Sequence, residues 1–179
     1  MLRVDWRGLE SFNGLRQSQA IHALYQCCTS TIWALRVAAG RPYADEEALF
    51  DRADMITAEL TEADLDEALE GHPRIGDKPD NASSAGEQSG VVGAETAILD
   101  ELKKCNAEYE AKFGHVYLVF ANGRPAGELL AILKERMGNS PETERRVMRT
   151  ELSKINRRRL TAMLEPAVRY ATEEDAYTS

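Results

Sequence analysis

His72 and Pro73 are the residues of this chain best suited to proton-transfer chemistry. They follow Gly71, which ends a predicted helix, and they begin a loop rich in Gly, Asp, Asn and Ser. Imidazole is the side chain whose ordinary pKa lies closest to neutral pH, so it can both accept and donate a proton there. Because the proline restrains the loop, His72 can turn a ring nitrogen towards a pocket. We therefore take His72 as the candidate acid–base residue.

A second polar group consists of Ser84, Glu87 and Gln88. A serine followed three residues later by a glutamate is the pattern of a capping box, which opens a helix. The same first turn carries free backbone N–H groups and suits a polar or anionic ligand. Glu87 and Gln88 would then offer acceptors and donors to a substrate rich in N–H and C=O groups. Both interpretations can hold at once.

Arg159 lies within an apolar stripe of the last predicted helix. Steps of three or four residues along that helix give Met148, Leu152, Ile155, Arg159 and Met163. An unpaired buried charge is too costly, so Arg159 must meet a buried carboxylate or face a cavity that holds an anion. Its planar guanidinium suits a carboxylate ligand. We expect its neighbours Arg157 and Arg158 to form a solvated face.

The remaining histidines and cysteines indicate no metal site. His22 is interpreted as a structural residue of the first predicted helix, and the position of His115 says nothing about its distance from His72. No metal-binding pattern, P-loop, nucleophile elbow or dinucleotide-binding turn is present in the sequence. The residues alone thus predict a small-molecule pocket that uses His, Glu and Arg, without naming a reaction.

The elements that must position these residues are predicted to be helices. Apolar spacing and capping signals place them at about 18–39, 45–58, 61–70, 85–112, 126–137 and 141–164. In the first helix, the predicted inward positions are Ile21, Leu24, Cys28, Ile32 and Leu35. The β-like run 116–120 has no partner strand, so we expect it to be buried and extended or part of a neighbouring helix. The predicted fold class is all-α.

Composition and length limit the classes of function. At 179 residues we expect a single domain over 1–179, with an acidic, flexible tail from about 171. The net charge of -8 argues against nucleic-acid binding. No apolar run is long enough to span a membrane, and the first residues lack the features of a signal peptide. We therefore expect a cytoplasmic protein whose three cysteines are free thiols.

Taken together, these segments resemble the 2-oxo-4-hydroxy-4-carboxy-5-ureidoimidazoline (OHCU) decarboxylases of urate breakdown. Five segments carry the resemblance in the right order. They are Cys27 to Ser30 with Trp33 and Arg41-Pro42, His72 to Gly76, Ser84 to Gln88, Phe113-Gly114 with the apolar run, and Glu151 with Lys154-Ile155 and Arg159-Leu160. The resemblance implies an all-helical, cofactor-independent homodimer. It also implies conversion of OHCU to (S)-allantoin and CO₂.

The resemblance also implies a role for particular residues. His72 corresponds to the catalytic histidine, the proton donor, and Glu87 and Arg159 complete the catalytic set. The residues expected to line the substrate are Pro73, Ser84, Ala85, Gly86, Glu87, Gln88, Tyr117, Leu118, Val119, Phe120, Ala121 and Arg159. His115 departs from the larger apolar or aromatic residue usual in the family.

Two other functions remain open at this point. One is a non-catalytic helical binding protein that keeps the fold. The other is a different cofactor-free lyase or hydrolase that acts on another ureide.

Overall fold

The computed structural model describes residues 8–77, 82–91 and 94–165. Over these ranges the chain forms helices, one 3-10 turn and no strand. In chain order the helices are α1 (Gly8–Asn13), α2 (Gln17–Cys27), α3 (Thr31–Ala39), α4 (Glu46–Glu59), α5 (Glu62–Leu69), α6 (Ala82–Glu87), α7 (Thr96–Phe113), α8 (Ala126–Arg136) and α9 (Pro141–Leu164). The all-α prediction is confirmed. The tail predicted from about 171 lies outside the described residues.

Four helices follow the prediction closely, and three of them begin at a side-chain cap. Asp45 accepts a hydrogen bond from the Ala48 amide at the start of α4. Thr61 and Ser140 do the same for α5 and α9, and Pro141 takes the first turn of α9. Each cap satisfies a backbone N–H that has no partner inside its helix. Local signals therefore fix these helix starts.

The prediction of one continuous helix over 18–39 is wrong. Cys28 is extended, with φ −141° and ψ 116°, and Ser30 caps a new helix by accepting a hydrogen bond from the Trp33 amide. The break turns Ile32 and Leu35 to the surface, where they are 37% and 40% exposed. Their predicted inward orientation is wrong because the period restarts at Ser30.

The prediction of a helix over 85–112 is also wrong. The chain forms the short α6, a 3-10 turn at Ser89–Val91, and then α7. Ser84 lies inside α6, so it does not cap the helix. At Gly90 the backbone approaches the carbonyl oxygens of Gly123 and Arg124, and a Cβ there would lie 2.2 Å from each. This close contact with a distant turn replaces the helical path.

Two apolar clusters form the interior. The first is built mainly from α1 to α5 and α9, and the second from α7 and α8. Segment 116–121 is extended and joins them, since its alternate side chains point in opposite directions. Val116, Leu118 and Phe120 contact the first cluster, and Tyr117, Val119 and Ala121 belong to the second. Of the two arrangements predicted for this run, the structure shows the buried, extended one and not a helix.

None of the helices in the described ranges combines the length and apolar character that crossing a bilayer requires.

Candidate active site

The turn after α5 places His72 against the interior. The His72 amide donates to the Leu69 carbonyl at 3.0 Å. Gly71 permits this path because a Cβ would lie 2.4 Å from the Thr29 Oγ1. The Thr29 hydroxyl in turn donates to backbone carbonyls of α5. Contact between the α2–α3 break and the end of α5 therefore sets the position of His72.

His72 is buried, with 9% of its surface exposed, and its Nε2 has no hydrogen-bond partner. Burial, with a smaller contribution from the positive charge of Arg159, lowers its pKa to about 3. The ring is therefore neutral at neutral pH. A buried polar atom without a partner is uncommon, and it identifies His72 as a group available to a ligand.

Arg159 forms a bidentate ion pair with Glu87. Its Nε lies 2.8 Å from Glu87 Oε1 and its Nη2 lies 3.0 Å from Glu87 Oε2. The guanidinium also donates to the Cys27 carbonyl at 3.2 Å and to the Ser84 hydroxyl at 3.4 Å. Of the two alternatives drawn from the sequence, Arg159 meets a carboxylate, that of Glu87, whose side chain is 15% exposed. Because Glu87 and Ser84 both contact it, α6 is attached to α9 at this point.

Gln88 supports the loop that carries His72. Its Oε1 accepts a hydrogen bond from the Gly76 amide at 3.1 Å, and its Nε2 donates to the Arg74 carbonyl at 3.5 Å. Asn106 of α7 donates to the Ile75 carbonyl at 2.9 Å. The loop is thus held by Gln88, which directly follows α6, and by Asn106 of α7.

Segment 117–121 is fixed by side chains from α8 and α9. Arg136 donates to the Leu118 carbonyl at 2.6 Å, and Glu151 accepts a hydrogen bond from the Phe120 amide at 2.7 Å. Arg136 is itself held in a buried ion pair by Glu144. The sequence names Glu151 only within the last segment of the family resemblance and predicts no contact for it, although it lies two helical turns before Arg159 on the same buried stripe.

Most of the predicted site residues meet around one small cavity of about 20 Å³. Eight of them contact it from three parts of the chain, and these are His72, Pro73, Glu87, Gln88, Tyr117, Leu118, Val119 and Ala121. The volume is far below the roughly 300–1,000 Å³ of ordinary ligand pockets, so substrate binding requires some of these walls to move.

The other predicted site residues lie outside this cavity. Gly86, Phe120 and Arg159 line a larger neighbouring cleft of about 440 Å³, to which Glu87 also belongs. Ser84 is buried beside Arg159, whereas Ala85 is exposed and lines neither space. Glu87 therefore lines both spaces, and its partner Arg159 lines only the larger cleft.

The three consecutive arginines have different environments. Arg157, expected to be solvated, forms ion pairs with Glu47, Asp51 and Asp54 of α4 at 2.8 to 3.0 Å. Arg158 is exposed and lines the 440 Å³ cleft. Only Arg159 reaches the interior. The helical period correctly predicts that Arg159 is buried and its two neighbours are not, but it does not predict the acidic partners of Arg157.

Neither of the other histidines joins the His72 cavity. His22 is exposed on α2, and His115 lines a cleft on the other side of His72. Within the described ranges, no three His, Cys, Asp or Glu side chains converge as a metal site would require.

Comparison with known proteins gives consistent matches. The family model for OHCU decarboxylase matches residues 13–161. The chain is 30% identical over 161 residues to the Arabidopsis thaliana uric acid degradation bifunctional protein TTL, covering 86% of this chain and 50% of that protein. It therefore spans about half the length of that relative. An Amia calva OHCU decarboxylase is 27% identical over 139 residues, covering 74% of this chain and 79% of the relative.

A solved structure agrees with these matches. The crystal structure of an OHCU decarboxylase in the presence of (S)-allantoin superposes with a TM-score of 0.69 and 28% identity, covering 78% of this chain and 95% of that one. The matched residues include every candidate site residue described above. On the extent of the family match and the likeness of fold, the chain belongs to the OHCU decarboxylase family.

Proposed function

We propose that this protein decarboxylates OHCU to (S)-allantoin and CO₂ in urate breakdown, without a cofactor. The observation that carries the proposal is the buried, unpartnered Nε2 of His72 on a cavity that is also lined by Glu87, Gln88, Tyr117, Leu118, Val119 and Ala121. Family membership supports the substrate, because relatives with this fold are named for that reaction.

The chemistry of the substrate fits a site that offers only side chains and backbone. OHCU carries a hydroxyl and a carboxylate on one ring carbon, next to an unsaturated ring carbon that bears the ureido group. When CO₂ leaves, the electron pair passes into that conjugated ring system and not into an external electron sink. The protein has to hold the breaking C–C bond in line with the ring π-system and stabilise the developing charge.

A neutral His72 can then move one proton between two substrate atoms. It accepts the proton of the ring hydroxyl as that oxygen becomes the carbonyl of allantoin. The resulting imidazolium gives the proton to one face of the neighbouring ureido-bearing carbon. A ring nitrogen takes up a proton from solvent, which balances the loss of the carboxylate as CO₂. Delivery from one fixed side chain makes the product one-handed.

The remaining groups are proposed to orient the substrate. Arg159 suits the carboxylate, and Glu87 can accept hydrogen bonds from the ureido N–H groups. Both are paired with each other in the free protein at 2.8 and 3.0 Å. Binding therefore exchanges one set of charge-assisted hydrogen bonds for another. Backbone groups of 117–121, already fixed by Arg136 and Glu151, are proposed to meet the ring amides.

The test uses OHCU generated from urate by urate oxidase and hydroxyisourate hydrolase. Absorbance follows the decay of OHCU, and circular dichroism follows the handedness of the product. We expect faster decay and an optically active product when the protein is added. No change in either signal would overturn the proposed function and favour a non-catalytic binding protein.

Three further properties are proposed on the same basis: a single domain, a homodimer and a cytoplasmic location. The exposed apolar side chains of Tyr25, Ile32 and Leu35 on α2 and α3 support a subunit contact. The free thiols Cys27, Cys28 and Cys105 support a reducing compartment. Sedimentation equilibrium tests the dimer, which predicts twice the mass of one chain.

A further inference from the structure

Two open clefts lie beside the small His72 cavity and differ in charge. The first, called here the arginine cleft, has a volume of about 440 Å³ and lies between α6, the turn at Asn122 and α9. The second, called the acidic cleft, has a volume of about 620 Å³ and lies between the end of α5, the His72 loop and His115. Either is large enough for a small ureide, so their electrostatics decide which one an anion uses.

The arginine cleft carries one positive charge without a partner. Glu87 and Arg159 neutralise each other in its inner wall, at 2.8 and 3.0 Å. Ser89 and Asn122 add uncharged polar groups, and Phe120 adds an apolar surface. Arg158 also lines the cleft, and it forms no ion pair or hydrogen bond with the described part of the chain through its side chain. Its guanidinium is therefore available to an incoming carboxylate.

The acidic cleft presents the opposite sign. It is lined by Asp66, Glu70 and Asp77 against the single guanidinium of Arg74. Arg145 neutralises Asp66 at 3.0 Å, and Arg74 is engaged by Glu110 at 2.6 Å and by Asp77 at 3.9 Å. Glu70 remains as a carboxylate with no side-chain partner in the described ranges. An anion is repelled on this side.

These charges matter because the whole chain is acidic, with a net charge of -8. An anionic substrate meets a repulsive field over most of such a surface. A cleft with one unpaired cation focuses attraction locally and raises the association rate, and salt screens this effect. The arginine cleft also reaches Glu87, which lines both this cleft and the small His72 cavity, and Arg159, which pairs with Glu87 and lines the cleft.

We propose that the anionic substrate reaches the site through the arginine cleft, and that Arg158 selects for its carboxylate there. The Glu87–Arg159 pair then separates as the carboxylate passes from Arg158 to Arg159, joining the cleft to the His72 cavity. This inference rests on the proposed function for its substrate. It assigns to Arg158 a role in specificity and association, and none in the chemical step.

The test compares three charge-neutralising variants: Arg158→Gln, Arg146→Gln and Glu70→Gln. Arg146 is the matched control because it is exposed on the same helix, lies outside the arginine cleft and has no side-chain partner in the described ranges. We expect Arg158→Gln to lower kcat/KM about 3- to 10-fold at an ionic strength of about 0.01 M, with kcat unchanged within about twofold. The loss should vanish near 1 M, where the screening length is about 3 Å. Arg146→Gln should stay within about 1.5-fold of the wild type, on the same argument from local charge.

Three results would overturn the inference. Arg158→Gln could behave like Arg146→Gln at every salt concentration. It could lower kcat as much as kcat/KM, which would place Arg158 in the chemical step. Or Glu70→Gln could raise kcat/KM while Arg158→Gln leaves it unchanged, which would assign substrate access to the acidic cleft.

A binding measurement separates this inference from the proposed function. Titration calorimetry compares allantoate, a ureide with a carboxylate, with the neutral allantoin. We expect Arg158→Gln to weaken allantoate binding at low salt and to leave allantoin binding unchanged. If allantoate binding weakens in this way but the wild type does not turn over OHCU, the proposed function is wrong and the anion selectivity of the arginine cleft stands. If the wild type turns over OHCU but both proteins bind allantoate equally, only the proposal for the arginine cleft is wrong.

Discussion

At the scale of single residues, the environment of His72 decides what chemistry the site can perform. Sequence reasoning identifies the histidine but not its charge, since charge depends on burial and on a neighbour 87 positions away, Arg159. Burial first, and then Arg159, lower the pKa of His72 to about 3. In the proposed mechanism the neutral ring therefore accepts a proton before it donates one, and the proton-donor role expected from the sequence is the second half of that cycle.

The low pKa of His72 predicts acid-sensitive stability. In the unfolded chain the ring protonates near its ordinary pKa of 6.5, whereas in the fold it protonates near 3. The unfolded state thus binds more protons between these values, and stability falls as the pH is lowered through that window. The contribution is at most about 1.4 kcal/mol per pH unit. The free energy of unfolding, measured in urea, should fall less steeply from pH 7 to 4 for His72→Asn than for the wild type. Equal pH dependence in both proteins would contradict the low pKa of His72.

Replacement of Arg159 by lysine should weaken substrate binding more than it lowers the stability of the fold. Arg159→Lys keeps the positive charge beside Glu87 but loses the two parallel hydrogen bonds. We expect the KM for OHCU to rise about tenfold, and the free energy of unfolding to fall by only about 1 kcal/mol. Steady-state kinetics and urea unfolding give the two numbers. A large loss of stability with an unchanged KM would show that the pair is purely structural.

At the scale of elements, the sequence predicts helices where local signals are complete and fails where distant contacts intervene. Caps at Asp45, Thr61 and Ser140 define α4, α5 and α9 correctly. The breaks at 28–30 and around Gly90 depend on contacts with α5 and with the turn at 123–124. The helical spacing of apolar residues in the sequence does not predict these distant contacts. Both breaks adjoin the site, since one supports the His72 turn and the other follows Glu87.

The contact between Gly71 and Thr29 gives a prediction at this scale. A Cβ on residue 71 would lie 2.4 Å from Thr29 Oγ1 and 2.7 Å from Thr29 Cγ2. Gly71→Ala should therefore lower the free energy of unfolding by about 1–3 kcal/mol and reduce activity by moving His72. Adding Thr29→Ala removes both clashing atoms, so the double variant should recover part of each loss. Additive losses in a double-mutant cycle would show that the two residues do not meet.

At the scale of the whole molecule, the site depends on parts of both apolar clusters being formed at once. Segment 116–121 joins the clusters, and side chains from α8 and α9 fix its backbone. The sequence predicts that this run is buried, but it cannot predict which helices cover it. For the same reason it identifies the site residues without showing that Glu87, paired with Arg159, lines both the small His72 cavity and the larger cleft.

The thiols of the first cluster report on this global packing. Cys27 and Cys28 are 5% and 0% exposed, and burial raises the pKa of each to about 12. Because thiolates react and buried thiols do not, we expect their labelling by a disulfide reagent to require unfolding. The labelling rate should rise with urea along the unfolding curve measured by circular dichroism. Rapid labelling without urea would contradict the packing of α2 against α9.

A comparison of wild type with His72→Asn on freshly generated OHCU tests most directly whether His72 moves the proton that makes the product one-handed. Circular dichroism measures the rate of (S)-allantoin formation, and thermal unfolding confirms that the variant is folded. General acid–base catalysis by one side chain is worth about 10²–10⁴-fold, so we predict a loss of at least about 100-fold with the fold intact. The residual product should approach the racemic mixture of the spontaneous reaction. A folded His72→Asn protein that still makes (S)-allantoin at most of the wild-type rate would show that His72 does not move this proton.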